Sequence, residues 1–182
     1  MWESDFDESV YKSAPFIRKG EFEKGIYTTA DSDLHKGTCD LAILQKLAPL
    51  TENSWGTDIE VLNHMQFKTI HTASRYNLLF KMLNKKRADF ILLEFSSEST
   101  TLAHRDPSGD LYPVEGIKVV FPFSRHFMVS KKHSHGQRIY NALQKGLKIL
   151  RKNGTIEKAL YQSKLKLERV KDWKVIYPQQ DN

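Results

Sequence analysis

The sequence predicts an α/β protein built around a sheet with short connections. Extended segments alternate with segments of helical periodicity along most of the 182 residues. Residues 90 to 93, Phe-Ile-Leu-Leu, form a short, wholly apolar run, which is typical of a strand buried on both faces of a parallel sheet. Hydrophobic residues make up 40% of the chain, so it can bury a core and wholesale disorder is not expected.

Apolar periodicity and turn residues define the elements up to residue 93. Ser74 opens the clearest helix, because apolar residues then recur at positions i, i+3, i+4 and i+7. These residues are Tyr76, Leu79, Phe80 and Leu83. The other predicted elements are strands over 16–17, 25–29, 67–72 and 90–93, a helix over 41–47, and a helix capped by Thr57 or Asp58 that runs to residue 65.

The C-terminal part begins with two predicted strands, over 117–121 and 126–130, which Pro122 separates. A long helix from about Gly136 ends at Asn153-Gly154, a typical left-handed stop. Thr155 caps a second short helix, and residues 173–177 form a final strand. Strands and helices thus alternate to the end of the chain.

Positive charge is concentrated towards the C-terminus, although the net charge of the chain is only +6. Lys and Arg dominate residues 131–174, where apolar residues recur at helical spacing and the basic residues fall mostly elsewhere. These basic side chains form either a solvated helix face or a surface for an anionic partner. Specific nucleic-acid binding is not expected, since no interleaved aromatic residues or helix-turn-helix signature accompany them. The residues concerned are Arg138, Lys145, Lys148, Arg151 and Lys152.

The sequence lacks the residue patterns that several classes of chemistry require. The sequence has no glycine-rich phosphate loop and no G-x-S-x-G nucleophile turn. Cys39 is the single cysteine, and the pair His133-Ser-His135 lies beside two lysines that repel a cation. We therefore expect no metal and no cofactor. No apolar run is long enough to cross a bilayer, and the acidic start of the chain is unlike a secretory signal.

Glu94 directly follows the apolar strand over 90–93. Ligands of open α/β sheets bind at the carboxyl ends of strands, so this carboxylate is a candidate ligand contact. The alternative is a structural role, because a carboxylate here would also cap a helix that starts at Ser96 or Ser97. The residues alone leave both interpretations open.

Three stretches of the chain follow the pattern of a known family. Residues 76–94, YNLLFKMLNKKRADFILLE, combine a helix, a polar turn, an aspartate, an apolar strand and an acidic end residue. Residues 121–131, FPFSRHFMVSK, precede the helix from 136 and the turn NGTI at 153–156, and the upstream pieces are YKSAP at 11–15 and GIYT at 25–28. Over most of residues 9–165 the chain resembles the type II bacterial solute-binding proteins of the amino-acid-binding kind.

The resemblance implies a periplasmic-binding-protein-like type II fold of two α/β lobes with a partial first lobe. Residues 1–51 would be the remainder of lobe one and the first hinge, and residues 52–121 would be lobe two. Residues 122–182 would form the second hinge and the helices that return to lobe one. The crossing segments would lie near residues 44–51 and 122–129, with the ligand bound between the lobes.

The resemblance also implies a set of ligand contacts. By position, Glu94 matches the acidic residue that commonly holds a ligand amino group. The loop and helix start over 53–57 match those that meet the ligand's anionic end, where free N–H groups of a helix attract an anion. Trp55 is equally well interpreted as a packing residue. The residues of this loop are Asn53, Ser54, Trp55, Gly56 and Thr57.

The implied function is non-catalytic binding of a small polar solute, as in the substrate-binding component of an ABC transporter or in a sensory domain. A membrane transporter or sensor would be the partner, and the location would be periplasmic, although no signal peptide is recognised in this chain. Two alternatives stay open, namely a dehydratase-like enzyme on the same fold and a basic interaction module for anionic partners.

Two departures from the family pattern bear on this expectation. The chain begins at what corresponds to the middle of lobe one, as expected of a fragment or a shortened gene product. The family's first-lobe arginine should lie several residues before Ser13, where this chain offers Asp5, Asp7 and Glu8 instead. A cationic or non-amino-acid solute, or a loss of binding, is then expected. A truncated lobe would expose a sheet edge, which predicts a homodimer or low stability.

Overall fold

The computed structural model describes residues 1–2, 5–37, 39–98 and 100–178. The contacts within the chain divide it into two units. Unit one comprises Met1–Phe22 and Pro122–Lys166, and unit two comprises Glu23–Phe121 and Leu167–Asn182. Residues 44–51, where the first crossing is expected, lie within unit two, and the assignment of the units to lobes stays a prediction. No helix in the described part of the chain is long and apolar enough to span a bilayer.

Unit two is built on a six-stranded sheet. The strands are β2 (Phe22–Thr28), β3 (Pro49–Glu52), β4 (His71–Ala73), β5 (Phe90–Leu93), β6 (Tyr112–Phe121) and β8 (Lys174–Tyr177). Their order in the sheet is β4-β3-β5-β2-β6-β8. Strand β3 pairs in parallel with both β4 and β5, whereas β2 pairs antiparallel with β5. Strand β6 pairs in parallel with β8. The helices are α1 (Leu41–Leu44), α2 (Gly56–His64) and α3 (Tyr76–Asn84).

The core of unit two lies between this sheet and α3. All four residues of β5 are buried, and β5 pairs with β3 and β2, as its apolar sequence predicts. Leu79, Phe80 and Leu83 of α3 are buried in the same cluster. The predicted apolar face of α3 is wrong at Tyr76, which is 48% exposed, because this residue begins the helix at the rim of the core. The predicted strand over 67–72 is reduced to the three residues of β4.

The segment after β5 is a loop. A helix starting at Ser96 or Ser97 is wrong, since the described residues between β5 and β6 contain none. The Ser96 backbone N–H instead donates to the Tyr27 hydroxyl at 3.1 Å, and that hydroxyl donates to the Leu102 carbonyl at 3.0 Å. Glu94 therefore has no following helix to cap.

Unit one contains a two-stranded antiparallel sheet of β1 (Val10–Ile17) and β7 (Arg125–Ser130), followed by α4 (Gly136–Lys152) and α5 (Thr155–Gln162). Helix α4 packs on β1, with the Tyr140 ring stacked on the Tyr11 ring at 5.0 Å between centroids. Gly154 has φ +77°, which confirms the left-handed stop after α4. Thr155 does not cap α5, because Gly154 occupies the N-cap position and the helix has no side-chain cap.

Arg151 does not belong to a solvated helix face. Its guanidinium donates to both carboxylate oxygens of Glu21, at 2.6 and 2.7 Å, and to the Phe16 carbonyl at 2.6 Å. The side chain is only 13% exposed. The basic pattern of α4 therefore includes one arginine that ties the helix to β1.

Candidate binding site

The candidate site lies at one edge of the sheet in unit two. Strands β4, β3 and β5 are parallel neighbours, so their carboxyl ends share this edge. Loop 53–57 follows β3, Tyr76 follows β4, and Glu94 follows β5. Antiparallel β2 brings its own start to the same edge, since Gly25 pairs with Leu93.

The loop after β3 is held by hydrogen bonds to Ala73 of β4, to Glu52 and within the loop itself. The Asn53 N–H donates to the Ala73 carbonyl at 2.9 Å, and the Gly56 N–H donates to the Ser54 carbonyl at 3.0 Å. Both the hydroxyl and the N–H of Ser54 donate to the Glu52 carboxylate. Asn53, Ser54 and Gly56 are exposed as a result of this arrangement.

Helix α2 starts without a side-chain cap. Its N-cap residue is Trp55, so the prediction that Thr57 or Asp58 caps this helix is wrong. Asp58 instead accepts from the Lys24 ammonium at 2.6 Å, and both side chains are buried. The Asp58 carboxylate is therefore bound to Lys24 of β2 and does not cap the first turn of α2.

Trp55 packs against residues of unit two. It packs as a partly buried residue against the core cluster, and its ring centroid lies 6.2 Å from that of Tyr76. The Lys24 ammonium lies 4.9 Å from the Trp55 ring centroid, within cation–π range. The structure thus supports the packing interpretation of Trp55 and leaves a contact with a ligand untested.

Glu94 is anchored through its backbone while its side chain is exposed. Its carbonyl accepts from His104 Nε2 at 2.8 Å, which makes Nε2 the protonated nitrogen. Burial lowers the pKa of His104, although the hydrogen bond to the Glu94 carbonyl and the Glu94 charge oppose this. His104 in turn packs edge-on against Tyr27 at 4.6 Å. The position of Glu94 is therefore set by the buried core beneath it.

The Tyr76 ring packs against Trp55 of the loop before α2, and its hydroxyl interacts electrostatically with Glu94. Burial raises the pKa of the Tyr76 hydroxyl, and the charges of Glu94 and Asp106 raise it further. Its ring contacts Trp55 on one side and Phe80 at 5.4 Å on the other. We call Asn53–Thr57, Tyr76, Glu94 and Asp106 together the site edge. Structure thus brings the sequence-predicted residues to one sheet edge, and it adds Tyr76 and Asp106.

The residues of the site edge include groups suited to a cation and groups suited to an anion. Two carboxylates and two partly exposed aromatic rings favour a cation, and the start of α2 favours an anion. Among the described residues, no three His, Cys, Asp or Glu side chains are grouped so that they could hold a metal ion. Burial raises the pKa of the Cys39 thiol, which disfavours its reactive thiolate form.

Comparison with known proteins gives structural matches alone. No protein-family model matches the chain. No curated protein matches it either. One similar solved structure is the probable amino-acid ABC transporter extracellular-binding protein ytmK of Bacillus subtilis, with a TM-score of 0.61, 16% identity, and coverage of 89% of this chain and 67% of that one.

Two further structures are similar. One is an arginine transport system periplasmic binding protein from Legionella pneumophila, with a TM-score of 0.56 and 15% identity, covering 86% of this chain and 65% of that one. The other is an ancestral arginine-binding protein bound to arginine, with a TM-score of 0.53 and 13% identity, covering 84% and 63%. The chain thus spans about two thirds of the length of these proteins, and it has the type II periplasmic-binding-protein-like fold that the sequence resemblance implied.

Proposed function

We propose that this protein binds a small polar solute with a cationic group, without chemical conversion, at the site edge of unit two. The observation that carries the proposal is the exposed Glu94 carboxylate at the carboxyl end of β5, since loop 53–57 and Tyr76 follow the parallel neighbours β3 and β4 at the same edge. Ligands of open α/β sheets bind at such an edge.

The cationic group of the solute is assigned to Glu94. Asp106 adds a second carboxylate whose charge acts on the Tyr76 hydroxyl. The half-exposed ring of Tyr76 offers a face to an ammonium or guanidinium group. Two of the similar structures are arginine-binding proteins, which supports a cationic solute.

The anionic end of the solute is assigned to the start of α2. Without a side-chain cap, the first turn of this helix offers a partial positive charge and the Thr57 backbone N–H, since the Gly56 N–H already donates to the Ser54 carbonyl. Gly56 is exposed and has no side chain to shield this turn. In this proposal Asn53, Ser54 and Thr57 add polar contacts, and Trp55 closes one side.

The similar structures support a membrane transporter or sensor as the partner. These include transporter-associated and periplasmic binding proteins, so we propose delivery of the solute to a membrane transporter or sensor from a periplasmic or extracellular location. Unit one exposes large apolar side chains on α4, including Ile139, Ile149 and Leu150, which supports a homodimer.

Titration calorimetry of arginine, lysine, putrescine and glutamate tests the proposal. Glu94→Gln should weaken binding of the cationic solutes by about tenfold or more, since it removes a charge-assisted hydrogen bond. Glu115→Gln is the matched control, because Glu115 is an exposed carboxylate on β6, away from the site edge. Equal affinities of both variants for every solute would overturn the assignment of Glu94.

The enzyme alternative has its own outcome in the same samples. A dehydratase would consume its substrate at a pH-dependent rate that Glu94→Gln abolishes. A binding protein returns the solute unchanged, which chromatography of the calorimeter contents after a long incubation would show.

A further inference from the structure

Unit one contains a groove of about 690 Å³ between β1 and α4. This volume falls within the range of roughly 300–1,000 Å³ that small-molecule sites occupy. The groove lies on the other unit of the chain from the site edge, and no residue of the proposed function lines it. Its lining residues are Ala14, Pro15 and Arg18 from the strand side, and Gln144, Leu147, Lys148, Arg151 and Lys152 from the helix.

The two walls of the groove run alongside each other. The Ala14 N–H donates to Gln144 Oε1 at 2.5 Å, and two residues further along β1 the Phe16 carbonyl accepts from Arg151 at 2.6 Å. Moving from Ala14 to Arg18 therefore moves along α4 from Gln144 towards Lys152. The groove is polarised in consequence, with its small apolar strand residues at one end and its cations towards the other.

Three of the four cations that line the groove have no ion-pair partner among the described residues. Arg151 is paired with Glu21, and its buried Nε has no acceptor among the described residues. The side chains of Arg18, Lys148 and Lys152 form no ion pair or hydrogen bond within the described residues. Arg18 and Lys152 therefore lie at one end of the groove, Lys148 lies about one helical turn before Lys152, and the floor includes the buried Leu147.

We propose that this groove binds an amphiphilic anion, with a single acidic head between Arg18 and Lys152 and an apolar chain along Pro15 and Leu147. Four strand residues beyond Ala14 span about 13 Å, which sets the length of the chain. A small inorganic anion would leave the apolar end unused. A polyanion would also engage Arg138 and Lys145, which lie on α4 outside the groove.

Calorimetric titration with decanoate, below its micelle concentration, tests the proposal. Decanol lacks the charge and acetate lacks the chain, so both should bind at least about tenfold more weakly than decanoate. The double variant Arg18→Gln/Lys152→Gln should weaken decanoate binding by at least about tenfold, since each cation loses a charge-assisted hydrogen bond to the head. The matched control is Arg138→Gln/Lys145→Gln, which removes the same charge from α4 outside the groove and should leave the affinity unchanged.

Three results would overturn the proposal. Equal losses in the two double variants would show that only the diffuse charge of α4 attracts the ligand. Binding of phosphatidylglycerol vesicles without binding of decanoate would show that the surface recognises a membrane. No decanoate binding, judged from both the titration heat and the melting temperature of a cooperatively melting protein, would show that the groove does not take this ligand. Decanoate affinity should not change in Glu94→Gln, so failure here is separate from failure of the proposed solute site.

Discussion

The ammonium of Lys24 lies 2.6 Å from the Asp58 carboxylate, and both residues are about 5% exposed. The pair joins the start of β2 to the first turn of α2, at the same sheet edge as Glu94. The aromatic faces of Trp55 and Phe121 lie within 5.3 Å of the ammonium and add to its environment. This buried pair positions the helix start that we assign to the anionic end of the solute.

Removing one member of this pair should destabilise unit two strongly. Asp58→Ala leaves a buried ammonium without its carboxylate, which costs about 3–5 kcal/mol. The double variant Lys24→Met/Asp58→Leu should recover most of that loss, because it buries no charge. Urea denaturation followed by circular dichroism measures both. A single variant as stable as the double variant would contradict the role of the pair.

Gly25 should not tolerate a methyl group. A Cβ atom there would lie 2.7 Å from a ring carbon of Phe95 and 2.9 Å from one of Tyr27, and both rings are buried. Gly25→Ala should therefore cost about 1–3 kcal/mol of unfolding free energy through overpacking. Gly146→Ala is the contrasting substitution, since that site in α4 is open and alanine favours a helix by about 1 kcal/mol. Urea denaturation should move in opposite directions for the two variants.

Glu21 should make the stability of unit one depend on acid pH. Burial raises the pKa of this carboxyl, but the hydrogen bonds from Arg151 and the Arg18 N–H outweigh it and hold the pKa below its ordinary value of 4.5. A lowered folded-state pKa stabilises the protein above pH 4.5, and this contribution is lost as the pH falls through the folded-state value.

Thermal melts between neutral pH and pH 3 check this dependence. Glu21→Gln should lower the melting temperature at neutral pH and flatten the loss below about pH 4.5. Glu8→Gln, at an exposed position of the same unit, should follow the wild type. An unchanged acid limb in Glu21→Gln would contradict the account.

Tyr76 should contribute to binding through the exposed part of its ring. The ring also contacts Trp55 and Phe80, so Tyr76→Ala should lower the unfolding free energy by about 1 kcal/mol. The same change should weaken a cationic solute by about fivefold or more, because a cation–π contact contributes roughly 1–2 kcal/mol. Tyr76→Phe keeps the ring and should bind nearly as the wild type does. Calorimetry that ranks the two variants equally would exclude the aromatic contact.

The sequence predicted the elements whose periodicity is local. Helix α4 and its left-handed stop at Gly154 follow from spacing and one glycine, and β5 follows from an apolar run. The passage of the chain between units at Phe22 and Glu23 lies inside β2, and no turn residue marks it in the sequence. The point at which the chain passes from one unit to the other is set by which strands pair, and strand pairing joins residues that are far apart in the sequence.

In the candidate site, too, the local features could be predicted from the sequence and the long-range contacts could not. Glu94 stands out because it ends an apolar strand, and Tyr76 did not stand out because helical spacing assigns it to the core stripe. Asp58 was a reasonable cap by position, but Lys24 is 34 residues away and claims its carboxylate. Such partners between distant segments cannot be inferred from spacing alone.

Thermal unfolding of the purified chain with a panel of amino acids, polyamines and small carboxylates tests whether the protein binds a cationic solute. A solute that binds the folded state alone raises its stability, and the rise grows with the solute concentration. We expect a cooperative melt that arginine, lysine or a polyamine shifts to higher temperature and that simple carboxylates do not shift. A cooperative melt that no cationic solute moves, even at millimolar concentration, would contradict it.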